Sequence, residues 1–238
     1  MSKSVLITGG AGFIGSNLAL ALVAKGYSIS ILDNLSPQIH GDPDSSELYQ
    51  SIKDKVHFIE GIMLDLLANT KHQVQKVVVA SSRAIYGEGK YWSPKADQAV
   101  YPEGRTVEDL QKGIFEPKCP ITKGPLNLMP TCEESKIHPN SIYGLTKYNQ
   151  EQAVLIACKA IGINAVAFRY QNVYGPGQSL KNPYTGILSI FSTRIKNGKD
   201  INIFEDGLES RDFVYIDDVI NATILGIENE GSIHDVSM

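Results

Sequence analysis

The 238-residue sequence is poor in cysteine, in long apolar runs and in net positive charge. Its three cysteines, Cys119, Cys132 and Cys158, are irregularly spaced, which argues against a disulfide framework and fits a reducing cytoplasm. Cys119-Pro120 could be half of a metal knuckle, but no second Cys or His follows two or three residues later. Zinc wants four ligands, so no metal is expected. No run approaches the length of a membrane span, and the segment between Lys3 and Gly9-Gly10 is too short for a signal peptide. A formal charge of -4 gives no electrostatic reason to expect nucleic acid or a membrane surface as partner. Internal repeats and low-complexity tracts are missing too. A cytoplasmic globular protein is the expectation.

What is present alternates in period. Ser4 to Thr8 reads as a short buried strand, and Phe13 to Lys25 as a helix with Ile14, Leu18, Ala21 and Leu22 on one face. Gly26 stops it, and Tyr27 to Leu32 is a second strand ending at Asp33. Strand, glycine turn, helix and strand make one βαβ unit. Asp44 to Lys53 looks helical, Val56 to Ile59 is a third strand, Ile62 to Leu67 resembles helix, and Lys76 to Ala80 is another buried strand. A Gly- and Pro-rich stretch then runs over about 87–139, longer than ordinary loops and expected to carry some structure of its own. Tyr143 to Ala160 is a strong helix candidate, Ala165 to Arg169 a strand and Ile187 to Asn197 a further helix.

The turn between the first strand and helix holds glycines three apart, at Gly9, Gly12 and Gly15. Gly9 permits the tight turn, Gly12 lets the backbone approach a pyrophosphate, and Gly15 lets the helix pack close to the strands. Phe13 and Ile14 open the helix, whose free N–H groups and positive dipole end suit an anion. Asp33 ends the next strand 18 residues after Gly15; a carboxylate there accepts from ribose hydroxyls and repels a 2′-phosphate, which favours NAD over NADP. The plainer alternative is a glycine-rich turn with a strand-end Asp as cap.

Tyr143 and Lys147 stand four apart, so on a helix they share one face. The Lys charge favours the phenolate, which can then take a proton from a hydroxyl. The pair on its own is equally a structural feature. Ala80-Ser81-Ser82 ends a buried strand, where open α/β sheets hold their ligands, and Ser82 could hydrogen-bond the same hydroxyl; the alternative is a strand-end cap.

Thr8-Gly9 through Gly15, Ser82-Arg83-Ala84-Ile85-Tyr86-Gly87, Tyr143-x-x-x-Lys147, Arg169 to Pro176 and Arg211 to Val219 together resemble the extended short-chain dehydrogenase family. The resemblance covers most of the chain. It implies an α/β, Rossmann-type doubly wound parallel sheet holding NAD over residues 1–175, and a partial substrate-binding region over 176–238. It implies that Ser82, Tyr143 and Lys147 form the catalytic group, Ser82 also touching substrate. Asn34, Tyr170 and Val173 would join the glycine turn, Asp33, Tyr143 and Lys147 around the cofactor. Asn172 and Arg211 would face the diphosphate of a nucleoside diphosphate sugar. For Arg211 a surface ion pair with Asp212 or Asp218 is the alternative.

Gly87 to Tyr91, Glu116 to Pro120 and Asn182 to Gly186 are similar to nucleotide-sugar 4-epimerases, which carry a Cys-Pro-x-Cys knuckle where this chain has Cys119-Pro120-Ile121-Thr122. The 4,6-dehydratase branch has acidic residues where Arg83 and Ala84 stand. The expected activity is NAD-dependent 4-epimerisation, the alternatives being a reductase, a decarboxylase or an inactive truncated homologue. A homodimer through the Tyr143 to Ala160 helix is a further expectation. The resemblance also implies that a helix-plus-strand unit of about 30 or more residues is absent between Gly61 and Ile62, and that the substrate part is cut short near Met238. The missing strand would be a central one, beside the first.

Overall fold

The computed structural model describes residues 3–33, 35, 46–59, 73–178, 186–229 and 235–237. The chain forms two compact units. One gathers Met1–Val74, Asn172–Ile201 and Phe213–Asn229; the other gathers Gln75–Gln171, Asn202–Asp212 and Glu230–Met238.

In the first unit, β1 (Ser4–Thr8), β2 (Ser28–Leu32) and β3 (His57–Ile59) form a parallel sheet in the order β1-β2-β3. The link between β1 and β2 is α1 (Phe13–Ala24). Its end is set by Gly26, whose φ of +83° suits a residue without Cβ and whose N–H bonds back to Val23 O. A short α2 (Glu47–Ile52), capped by the Ser46 hydroxyl on Tyr49 N, precedes β3. The expected helix from Asp44 is therefore shorter where it is described, and the one from Ile62 lies outside the described residues.

The same unit holds β9 (Asn172–Tyr174), α5 (Ile187–Lys196), β10 (Phe213–Tyr215) and α6 (Ile216–Glu228). Pairing of β9 and β10 is parallel. The sequence reading did not anticipate α6, though Asp217 and Asp218 suit its first turn and Ile216, Val219, Ile220 and Ile224 follow helical spacing. Ile216, Ile220 and Ile224 join Ile7, Leu18, Leu22, Ile29, Ile31 and Ile52 in one core. Full burial of Leu22 or Ile31 stabilises by about 1.5–3 kcal/mol each.

The second unit is built on β4 (Lys76–Ser82), β8 (Asn164–Tyr170) and β11 (Asp235–Ser237), parallel in the order β4-β8-β11. Helix α4 (Ile142–Ala160) packs on β4 and β8 through Gly144, Glu151, Val154 and Cys158, a buried stripe at helical spacing. The 87–139 excursion carries its own antiparallel sheet of β5 (Tyr91–Ser93), β6 (Gln98–Val100) and β7 (Asn127–Leu128), plus α3 (Val107–Gln111). Tyr91, Val100 and Cys119, with Leu126 against them, give it a small core.

Parallel strands joined by helical crossovers make this a Rossmann-type α/β fold. Among the described residues β1 is paired on its β2 side alone, and β4 on its β8 side alone. Leu6 of β1 is 44% exposed, which a strand flanked on both edges and covered on both faces would not allow.

Candidate functional site

In the first unit the glycine turn has the geometry its spacing requires. Gly9 has φ +65°, and its carbonyl oxygen accepts the Gly12 N–H at 3.1 Å. A Cβ on Gly15 would stand 2.5 Å from the Gly9 oxygen and 2.7 Å from Gly10 Cα, so only glycine lets α1 pack this closely. Gly10, which the spacing argument left aside, is equally constrained: a Cβ there would meet the Ile31 side chain at 2.6 Å.

Gly12 is the N-cap of α1, and no side chain caps that end. Among the described residues, the first-turn N–H groups of Phe13 and Ile14 therefore lack a side-chain acceptor. Both side chains pack against the core. Asp33 is buried; its Oδ2 accepts from Ala11 N at 3.0 Å and its Oδ1 from Leu35 N at 2.9 Å. The carboxylate thus ties the end of β2 to the turn. Uncapped amides beside a carboxylate fit a dinucleotide, the amides suiting a pyrophosphate and the acid a ribose. Asn34 lies outside the described residues. Val173 packs against the same core, and Asn172 beside it on β9 is half-buried.

The second unit brings Ser82 and the Tyr143–Lys147 face of α4 to the C-terminal end of β4. Ser82 is buried and its Oγ accepts from Ala84 N at 3.2 Å, capping a 3₁₀ turn over Arg83–Tyr86. The capping role and the catalytic one are compatible, since a hydroxyl oxygen that accepts still has a proton to donate. Ser81, one residue back, is also buried, and its Oγ has no hydrogen-bond partner among the described residues.

Helix α4 begins with Ser141 as N-cap, its Oγ accepting from Gly144 N at 3.0 Å. Lys147 Nζ donates to the Ala80 carbonyl of β4 at 3.0 Å and to Gln150 Oε1 at 3.3 Å. Burial pushes the Lys147 ammonium below its ordinary pKa. Tyr143 is 57% exposed, open to a ligand. Tyr170 ends β8 opposite Ser82 and stacks on Phe168 with ring centroids 5.8 Å apart.

A cavity of about 690 Å³ lies in the same unit, lined among others by Arg83, Tyr86, Phe115, Asn140, Gln171 and Arg211. Its size suits a small-molecule ligand. Arg211 pairs with Glu209 and donates to Ser210 O at 2.9 Å. Arg83 is half-buried here; burial and then the neighbouring Arg211 charge lower its pKa.

A profile of the NAD dependent epimerase/dehydratase family matches residues 122–236, and one for GDP-mannose 4,6 dehydratase matches residues 6–79. The chain is 32% identical to a dTDP-L-rhamnose 4-epimerase of Burkholderia thailandensis, over 96% of this chain and 74% of that protein. That alignment runs over 273 residues against a chain of 238, so the relative has at least 35 positions with no counterpart here. It is 27% identical to a UDP-N-acetyl-alpha-D-glucosaminuronate decarboxylase of Bacillus cytotoxicus, over 100% of this chain and 79% of that one. Among solved structures, UDP-glucose 4-epimerase of Thermotoga maritima with UDP-glucose superposes with a TM-score of 0.69 at 25% identity, covering 98% of this chain and 75% of the other.

Proposed function

Since the chain belongs to the NAD dependent epimerase/dehydratase family, we propose that it is an NAD-dependent nucleotide-sugar 4-epimerase. The observation that carries this reading is the 3.0 Å bond from Lys147 Nζ to Ala80 O, which ties the Tyr143–Lys147 face of α4 to the strand end that presents Ser82. A phenol, an ammonium and a hydroxyl grouped at a strand end are the parts needed to move a proton on and off a sugar hydroxyl.

Tyr143, as phenolate, removes the proton of the sugar 4-hydroxyl, while Ser82 holds that hydroxyl by a hydrogen bond. The Lys147 ammonium favours the phenolate. Bound NAD would supply reversible hydride acceptance at C4. Gly9, Gly12, Phe13, Ile14, Gly15, Asp33, Asn34, Tyr143, Lys147, Tyr170 and Val173 would hold it. Tyr143 would return its proton to the oxygen of the turned 4-keto sugar, the return of hydride to the opposite face being chemistry that bound NAD would supply. Arg211 and Asn172 retain the intermediate by its diphosphate, so binding energy remote from C4 serves the chemistry. Residues 1–175 form the cofactor part and 176–238 a partial substrate region, in a cytoplasmic protein. Ile142, Leu145 and Ile156 leave an exposed apolar strip on α4 that supports pairing with a second copy.

The test is turnover of UDP-glucose and dTDP-L-rhamnose by the wild type and by Tyr143→Phe. Epimerisation releases no NADH, and Tyr143→Phe lowers the rate by about 10²–10⁴-fold. Turnover retained in Tyr143→Phe would overturn the reading. Two other readings each have an observation behind them. The Bacillus cytotoxicus relative favours a decarboxylase, which would release carbon dioxide where an epimerase releases none. The open edges of β1 and β4 favour an inactive homologue, which would neither bind NAD nor shift its melting temperature with it.

A further inference from the structure

One guanidinium is bonded to three separate segments of the second unit. Arg169, on β8, meets Glu151 of α4 with both arms of its fork: Nη2 to Oε1 at 2.7 Å and Nε to Oε2 at 3.1 Å. Its Nη1 donates to the Tyr86 hydroxyl at the end of the 3₁₀ turn and to the Glu133 carbonyl of the excursion at 3.0 Å. The guanidinium also lies over the Tyr86 ring, 5.2 Å from its centroid. Arg169 is 4% exposed, Tyr86 2% and Glu151 0%.

Stability alone is a weak reason for this arrangement. Taking two charges out of water costs nearly as much as their attraction returns, and well-packed apolar residues in their place are often neutral or better. What apolar residues cannot do is fix angles. The fork is planar, and its N–H directions are set by covalent geometry. Glu151 continues the four-residue spacing of Tyr143 and Lys147, and Tyr86 follows Ser82 by four residues. Arg169 itself pairs in register with Ser81, beside Ser82. The two arms of the proton-transfer group therefore hang from a single rigid cation.

We propose that Arg169 is a positioning residue that, through Glu151 and Tyr86, sets the placement of Tyr143 and Lys147 relative to Ser82. The inference rests on the catalytic reading of those three residues. Misplacement of about 1 Å in such a group costs on the order of 100-fold in rate.

The test pairs Glu151→Leu with Arg169→Met, which removes both charges and leaves no lone ion. The ring-carbon NMR resonance of Tyr143 in tyrosine-labelled protein, assigned by its loss in the Tyr143→Phe counterpart, reports the surroundings of the phenol without needing a substrate. Thermal denaturation is followed alongside. The expected result is a melting temperature close to wild type and a displaced Tyr143 resonance. With UDP-glucose or dTDP-L-rhamnose, whichever is turned over, kcat falls about 10- to 100-fold and KM holds. An unmoved Tyr143 resonance overturns the inference, whatever the melting temperature. If the double variant does not fold, Tyr86→Phe, which removes one bond to Arg169, decides by the same resonance. Tyr143→Phe turnover separates the two failures: a dead Tyr143→Phe with an unmoved resonance in the double variant sinks the positioning role alone.

Discussion

A Cβ placed on Gly144 would stand 2.5 Å from the carbonyl oxygen of Ala84, so the start of α4 rests directly on the backbone that follows Ser82. That contact sets how near the residue before it, Tyr143, can come to the serine. Gly144→Ala must push α4 and the 3₁₀ turn apart. The expected cost is about 1–3 kcal/mol, the range for overpacking a tight contact, read by denaturant unfolding. Turnover should fall further than stability does.

Lys147→Met should separate stability from activity. Burial lowers the folded-state pKa of Lys147, so between that value and its unfolded pKa of about 10.4 the unfolded chain binds more protons. Stability from this group therefore rises with pH through that window and is forfeited below it. The variant is expected to melt above wild type at pH 7, with the gap closing toward pH 10, while turnover is lost. A gap that widens with pH would refute the assignment. Differential scanning calorimetry across that range measures it.

Asp33→Ala removes the acceptor for both the Ala11 and Leu35 N–H groups and the partner proposed for a ribose. Hydrogen bonds to a charged group contribute about 1.5–3 kcal/mol, so NAD affinity should weaken by roughly 10- to 100-fold. Discrimination against NADP should shrink with it. Isothermal titration with both dinucleotides reads the two effects together.

Leu6→Lys probes the open flank of β1. In a closed central strand a lysine there would bury a charge; at the 44% exposure seen here it should cost less than about 0.5 kcal/mol. A loss of several kcal/mol in a urea titration would mean that β1 is covered in solution.

Much of this molecule can be read from local pattern. Period and glycine placement locate β1, α1, β2 and α4 to within a residue or two, because each depends on neighbours in sequence. Lys76 to Ala80 reads as strand and Ala80-Ser81-Ser82 as its end, and pairing with Arg169 and Tyr170 carries β4 through Ser82. The roles of Glu151 and Gly144 were not legible. A buried glutamate in a helix looks like surface charge until Arg169 is seen 18 residues away, and a helical glycine looks like a weak point until Ala84 is seen against it. Motif order implies a strand lost after Gly61, and among the described residues β1 and β4 each keep one unpaired edge.

The excursion's three strands and private core of Tyr91, Val100 and Cys119 have an evolutionary corollary. A cavity wall that folds around its own centre can be redrawn residue by residue without disturbing the helix to which proton transfer is assigned by proposal. On that proposal, choice of sugar and competence to react would be inherited as separable traits, and exchanging residues 91–128 between relatives, which leaves Glu133 and its bond to Arg169 in place, should transplant preference while leaving the reaction itself unaltered.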